Sequence, residues 1–337
     1  MDRAGIHKRW KPAFLVTELL KRLPEGRADA ERRAELEAFL QSHLRDMEAY
    51  VAGRSARGVV EAHSGLKLHG LYACRAAALK LLRGDPGART EWIVTLQYGL
   101  RAVQLAHAWL QTLAASGQAM NPSWVSFADT MATMAACEAL GWQAEARALG
   151  LSTLALMPLQ AFSDANPELD PRYEKHRNCF PWFALRLQAD ASGWQLPARL
   201  PEHPFAAPAY ERMLAVWRTT DAALFNDALL AVCDWHTHEC MYTSSDRSSR
   251  KMDFVNDTLM GWPLEVHLLY RLRERAGLPV PPPPVHPLLG TPMAEYPSQP
   301  EPHVPDTLLD AVTARLLKDV PLLAQMGVVA WPVGERC

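Results

Sequence analysis

Between Glu31 and Val51 the apolar side chains Leu36, Phe39, Leu40, Leu44, Met47, Tyr50 and Val51 return every three or four positions, with charges filling the gaps. That spacing is the period of one helix face. The same pattern recurs along the chain and leaves little sequence for anything else. It predicts helices over about 59–82, 90–115, 124–140, 143–157, 173–191, 209–219, 221–241, 263–276 and 306–326. Several of these end at glycine or proline, as in RGDPGART after the second and SGQAMNP after the third. Asn121 reads as a helix cap with Pro122 at the first helical position, where no N–H is needed. Runs that alternate apolar and polar residues, the signature of strands, are scarce. The expected fold is all-α, an irregular bundle of antiparallel helical hairpins. No fixed spacing of matching residues recurs, so a tetratricopeptide array is not expected.

Proline interrupts the pattern in two places. SGWQLPARLPEHPFAAP, residues 192–208, holds four prolines, and residues 279–305 hold eleven, including PPPP at 281–284. The first divides the chain into a helical region 1–200 and a second region 201–337, read together as one continuous globular unit. The second cannot be helix and is expected to lie extended. It reads as a strap across the bundle, held down by Val285, Leu288 and Leu289; a ligand for a proline-recognition domain is the other reading.

Composition narrows the function classes. With 35 basic and 37 acidic residues the formal net charge is −2, which argues against direct nucleic-acid binding, where a basic face must neutralise phosphates. No stretch reaches the roughly 20 apolar residues that span a bilayer. Near the start, Glu18 interrupts the apolar run and no small-residue cleavage site follows, so no signal peptide is read. The expected location is the cytoplasm. The six cysteines are scattered without a CxxC pair and read as reduced, mostly buried thiols. Most of the eleven tryptophans are expected to anchor helix contacts.

The densest chemistry lies in CDWHTHECMY, residues 233–242. On a helix Cys233, His236 and Cys240 share a face, with Glu239 beside His236. Zinc could use such residues, but a site of this kind draws further ligands from a matched CxxC or HxxxH pair, and none exists here. The reading is therefore a helix end without metal or cofactor. Cys233 and Cys240 face the core, the histidines lie near the surface, and Asp234 pairs with His238. HExxH, GxSxG, a phosphate-binding glycine loop and a dinucleotide fingerprint are all absent, so no catalytic residue is assigned. Farther on, Glu265 falls in a first helical turn and Arg271, Arg273 and Arg275 near the last, each matching the helix dipole.

Three elements between 221 and 289 carry a resemblance: ALLAVCDWHTHECMYTSSD, then GWPLEVHLLYRLRERAGLPV, then HPLLGTP. A helix ending in D-x-H, a Ser- and Asp-rich loop, and a W-P-x-E helix ending in RLRERAGL resemble the C-terminal half of all-helical immunity proteins of bacterial polymorphic toxin and type VI secretion systems. The resemblance implies a non-enzymatic protein that binds and neutralises a cognate toxin, often a nuclease. It places the toxin-binding residues at Asp234, His236, His238, Glu239 and Asp246, within or beside a polar loop from Ser244 to Asp257. A metal-dependent helical enzyme centred on His236 and a helical scaffold for peptides are the alternatives.

Overall fold

A computed structural model describes residues 5–118, 124–159, 161–162, 164, 179–196, 207–242, 253–254 and 256–326. The fold is all-α. No strand occurs among the described residues, where the single extended pairing is an isolated bridge between Cys240 and Phe254. No helix there is long and apolar enough to cross a membrane. The chain forms two compact units: Met1–Val16 with Val125–Pro300, and Thr17–Trp124 with Glu301–Cys337. The boundary expected near residue 200 falls inside the first of these. Helix α1, Pro12–Arg22, which the sequence reading did not assign, runs across the border between the two segments.

The second unit is built on α2 (Ala30–Val51), α3 (Val59–Arg83) and α4 (Ala88–Ala115), completed by α11 (Thr307–Asp319). Asp29 caps α2 by accepting from Arg32 N at 3.0 Å, and Gly84 ends α3 in the left-handed region at φ 76°. Two glycines let α3 approach its neighbours closely. A Cβ at Gly65 would sit 2.6 Å from Met47 Cγ on α2, and one at Gly70 would sit 3.0 Å from Gly99 N on α4. The returning segment is tied to α4 by paired hydrogen bonds. Gln97 donates to Val304 O at 2.8 Å and accepts from Val304 N at 2.7 Å, while Gln104 donates to Met326 O at 3.0 Å. The helix expected over 306–326 stops at Asp319, and a 3-10 turn, Pro321–Met326, follows. Pro321 lacks the N–H that the next helical turn requires and disfavours helix at Val320.

The first unit contains α5 (Phe127–Leu140), α6 (Gln143–Leu156), α7 (Cys179–Ser192), α8 (Pro208–Val216), α9 (Ala222–Glu239) and α10 (Leu264–Arg275). Helix α5 starts later than expected, because Ser126 accepts from Asp129 N at 2.9 Å and the Asp164 carboxylate takes the Phe127 and Ala128 N–H groups at 2.7 and 3.0 Å. The expected cap at Asn121 and Pro122 lies outside the described residues. Helix α10 is central: every residue from Leu264 to Arg273 is buried. The proline-rich strap follows, with short 3-10 turns at Pro287–Gly290 and Pro292–Ala294. Leu288 is buried and Leu289 partly so, as expected of a strap, but Val285 is not an anchor: it stands fully in solvent.

Candidate functional site

Asp221 starts α9 by accepting from Ala223 N and Leu224 N at 2.9 and 3.1 Å. The helix ends within CDWHTHECMY, at Glu239. Cys233, His236 and Cys240 share a buried face, as their spacing requires. His236 departs from expectation, since it is wholly enclosed rather than near the surface.

Its partner is Glu265, also enclosed, from the first turn of α10. His236 Nδ1 lies 3.0 Å from both carboxylate oxygens, and Nε2 lies 3.2 Å from the Met260 carbonyl. Both ring nitrogens thus face acceptors, so both must carry a proton and the ring is an imidazolium. Burial by itself disfavours that charge. The Glu265 carboxylate and the Cys240 sulfur outweigh it, and the pKa is pushed up to about 10. Tyr210 of α8 donates to Glu265 Oε1 at 3.1 Å, and Phe254 stacks on the imidazole with ring centroids 3.9 Å apart. The Trp10 indole donates to the same Met260 carbonyl at 3.2 Å. Three helices, the segment between α9 and α10, and the N-terminal arm therefore converge on this site.

The neighbouring thiols are held neutral. Burial, then the carboxylates of Glu265 and Asp234, raises the Cys233 pKa well above its ordinary value. Burial also raises Cys240, whose Sγ donates to His236 O at 3.3 Å. Neutral thiols are poor metal ligands and poor nucleophiles. Among the described residues no group of three or more His, Cys, Asp and Glu is arranged to hold a metal ion.

The rest of the expected toxin-binding set is dispersed. Glu239 is buried, so it is not a surface charge. Asp234 and His238 are half-buried, and they do not form the expected local pair. Both hold the N-terminal arm: Asp234 Oδ2 accepts from Gly5 N at 2.8 Å, and His238 Nε2 lies 3.0 Å from Gly5 O. Asp234 Oδ1 also lies 3.4 Å from His286 Nε2 on the strap. Thr237 continues this seam by accepting from His7 N at 2.9 Å. Of the loop from Ser244 to Asp257, Asp253 and Asp257 are buried. Asp253 accepts from Phe180 N at 3.0 Å. Asp246 lies outside the described residues.

Sequence reasoning missed Glu265 and Tyr210 as partners and assigned the arginines of α10 to the helix dipole alone. Apart from Tyr270, whose buried hydroxyl has no hydrogen-bond partner among the described residues, the structure gives the polar side chains of α10 partners on other elements. His267 accepts from the Trp262 indole at 2.9 Å and faces Ala294 O at 3.0 Å. Arg271 donates to Pro297 O at 3.0 Å and to Ala139 O at 3.3 Å. Arg273 donates to the carbonyls of Trp217, Thr219 and Pro279, with its guanidinium 4.2 Å above the Phe225 ring. Arg275 lies 2.8 Å from the buried Glu138 carboxylate. One signal was present in the sequence: Glu265 stands in LEVHLL, flanked by apolar residues, where a solvent-facing helix would show a polar stripe.

Comparison with protein-family models, curated proteins and solved structures finds no match to this chain.

Proposed function

We propose that the chain is an immunity protein that binds and neutralises a cognate bacterial toxin in the cytoplasm by protein contact, with no chemistry of its own. The observation that carries this reading is the internal saturation of the reactive groups at the described site. His236, Glu265 and Tyr210 satisfy one another in a solvent-free core, both imidazole nitrogens are committed to protein acceptors, and burial keeps Cys233 and Cys240 protonated. Turnover needs groups that can reach a substrate and exchange protons with it. These groups instead build a rigid scaffold, which suits a protein that presents a preformed surface.

Two of the three sequence elements behind the resemblance, those containing CDWHTHECMY and GWPLEVHLLYRLRERAGL, meet in the His236–Glu265 pair. They are in this reading a signature of the scaffold, and the contact surface lies in the segments around it. His236 and Glu239 pass from the contact set to the core, while Asp234 and His238 remain as its polar rim and Asp246 stays in the proposed contact set.

The test is co-expression in a bacterial host with the toxin-like protein encoded beside it, scored by growth, together with calorimetry against an inactivated form of that protein. Restored growth and a stoichiometric complex are expected. Unprotected cells together with no detectable binding would overturn the reading.

A further inference from the structure

The strap presents a feature that the helical core does not explain. In LPVPPPPVHPLL, residues 278–289, the rings of Pro281 to Pro284 fix φ, and each residue that precedes a proline is sterically driven to extended ψ. Val280 to Pro283 all precede prolines, and the peptide bonds of the described residues are all trans. The segment is therefore a polyproline II turn by steric necessity.

It is fastened from beneath. Arg273 Nε donates to Pro279 O at 2.9 Å, and Asn226 Nδ2 donates to Pro282 O at 3.3 Å. At the far end His286 is buried, its Nε2 3.4 Å from Asp234 and its Nδ1 accepting from Leu288 N at 3.1 Å. Between these anchors Pro282 and Pro283 face solvent, and Val285 has a relative exposure of 101%. The fold thus holds an apolar ridge rigidly and points it outward.

We infer that this ridge, Pro282 to Val285, is the element that enters the partner, and that it fits a shallow groove lined by aromatic rings. This rests on the immunity reading, with the toxin as partner. The chemistry selects that occupant. Prolines 281 to 284 offer no N–H, so a partner strand cannot add to them by a main-chain ladder, whereas their flat pyrrolidine faces stack on aromatic rings. Their carbonyls only accept, so the groove supplies donors, for which an indole N–H or a phenol is suited. Prefixing the extended conformation removes most of the ordering cost of binding.

The experiment measures calorimetric affinity of the whole chain for the inactivated toxin. Val285→Asp and the double variant Pro282→Ala/Pro283→Ala are compared with Leu151→Asp, a less exposed apolar position on α6. The ridge variants are expected to weaken binding at least tenfold with unchanged melting, and Leu151→Asp to stay within twofold. A benzophenone amino acid at position 285 should crosslink to a toxin peptide containing Trp, Tyr or Phe. If the wild-type chain binds but both ridge variants bind within twofold of it, or the crosslink falls on a peptide without an aromatic residue, the ridge inference fails and the immunity reading survives. If the wild-type chain does not bind, both fail together.

Discussion

The two units bury several of their ionisable groups in opposite ways, although the first also holds a buried histidine, His286, whose pKa burial lowers. The first keeps charge inside and pairs it: His236 as imidazolium against Glu265, Arg275 against Glu138, and Arg273 within a cage of carbonyls. The second buries histidines and keeps them neutral. In His63, stacked on Trp124 with centroids 5.1 Å apart, burial and then Lys67 lower the pKa to about 4. Full burial lowers His107 to about 3. A paired core fixes its parts by direction, because every charge has a required partner, whereas a neutral core is held by packing and is indifferent to which apolar neighbour it meets. The contrast predicts that the units break under different insults.

The largest effect should follow removal of one partner in the first unit. Glu265→Ala leaves an imidazolium in a solvent-free site and takes the acceptor from Tyr210, for an expected loss of about 3–5 kcal/mol in denaturant unfolding. The double variant His236→Leu/Glu265→Leu should recover a large part of that loss, since no charge is then stranded. A double variant as unstable as the single one would show that the geometry of the pair, rather than its charge, holds these elements together.

pH should separate the units next. His63 and His107 have folded pKa values below their unfolded value near 6.5, so the unfolded state takes up their protons first as pH falls. Their contribution is intact above pH 6.5 and declines below it by about 1.4 kcal/mol per pH unit for each, which is about 4 kcal/mol for both by pH 5. His236 has the opposite sign. Its folded pKa is raised, so its contribution is complete below pH 6.5 and fades as pH rises toward 10. Hydrogen exchange read by mass spectrometry should show α3 and α4 loosening first in acid, and α9 and α10 first in alkali. The same unit loosening first at both extremes would remove the contrast.

These differences bear on what the sequence could disclose. The all-α fold was legible because the 3.6-residue period survives in nearly every helix, and Ala30–Val51 and Val59–Arg83 fall within a residue of expectation. Boundaries at Phe127 and Asp319 were less legible, since each is decided by a capping side chain or a proline whose competitor lay nearby. The candidate site was only half legible. The spacing of Cys233, His236 and Cys240 does place them on one face. However, a period gives a direction around the helix and not what lies there, and Glu265 is 29 residues away from His236. The Gly5 arm that occupies Asp234 and His238 is more than 200 residues away and shows no pattern of its own. Val285 was misread because apolar character was taken to imply burial, which holds for many residues but is a one-way rule.

A smaller effect tests how each unit packs. At Gly70 the Cβ of alanine would lie 3.0 Å from Gly99 N and 3.1 Å from Tyr98 Cβ, so α3 and α4 must part. Overpacking of about 1–3 kcal/mol is offset by the roughly 1 kcal/mol that alanine gains in helix propensity, leaving a net loss of about 0–2 kcal/mol. At Gly150 in the first unit the obstructing atoms are the outer Trp194 ring carbons and, at 3.3 Å, Met134 Sδ, all on side chains rather than backbone. Gly150→Ala should therefore cost less than Gly70→Ala in thermal unfolding. The reverse order would mean that Trp194 is held as firmly as backbone.

The finest comparison deletes the same hydroxyl in each unit. Tyr210 donates to Glu265 at 3.1 Å in a fully buried site, and Tyr98 donates to Asp306 at 2.7 Å where the carboxylate is half-exposed. Judged by distance alone, Tyr98→Phe should be the more damaging. Solvent access argues the other way. Water can take the vacated place at Asp306, which also keeps its cap on Leu309 N at 2.8 Å, whereas no water reaches Glu265 to replace a donor. Tyr210→Phe is accordingly expected to cost about 2 kcal/mol and Tyr98→Phe about 1 kcal/mol, both by urea unfolding at pH 7. If Tyr98→Phe costs more, the bond tying α4 to the start of α11 is shielded from water, and the second unit depends on directed polar contacts as much as the first.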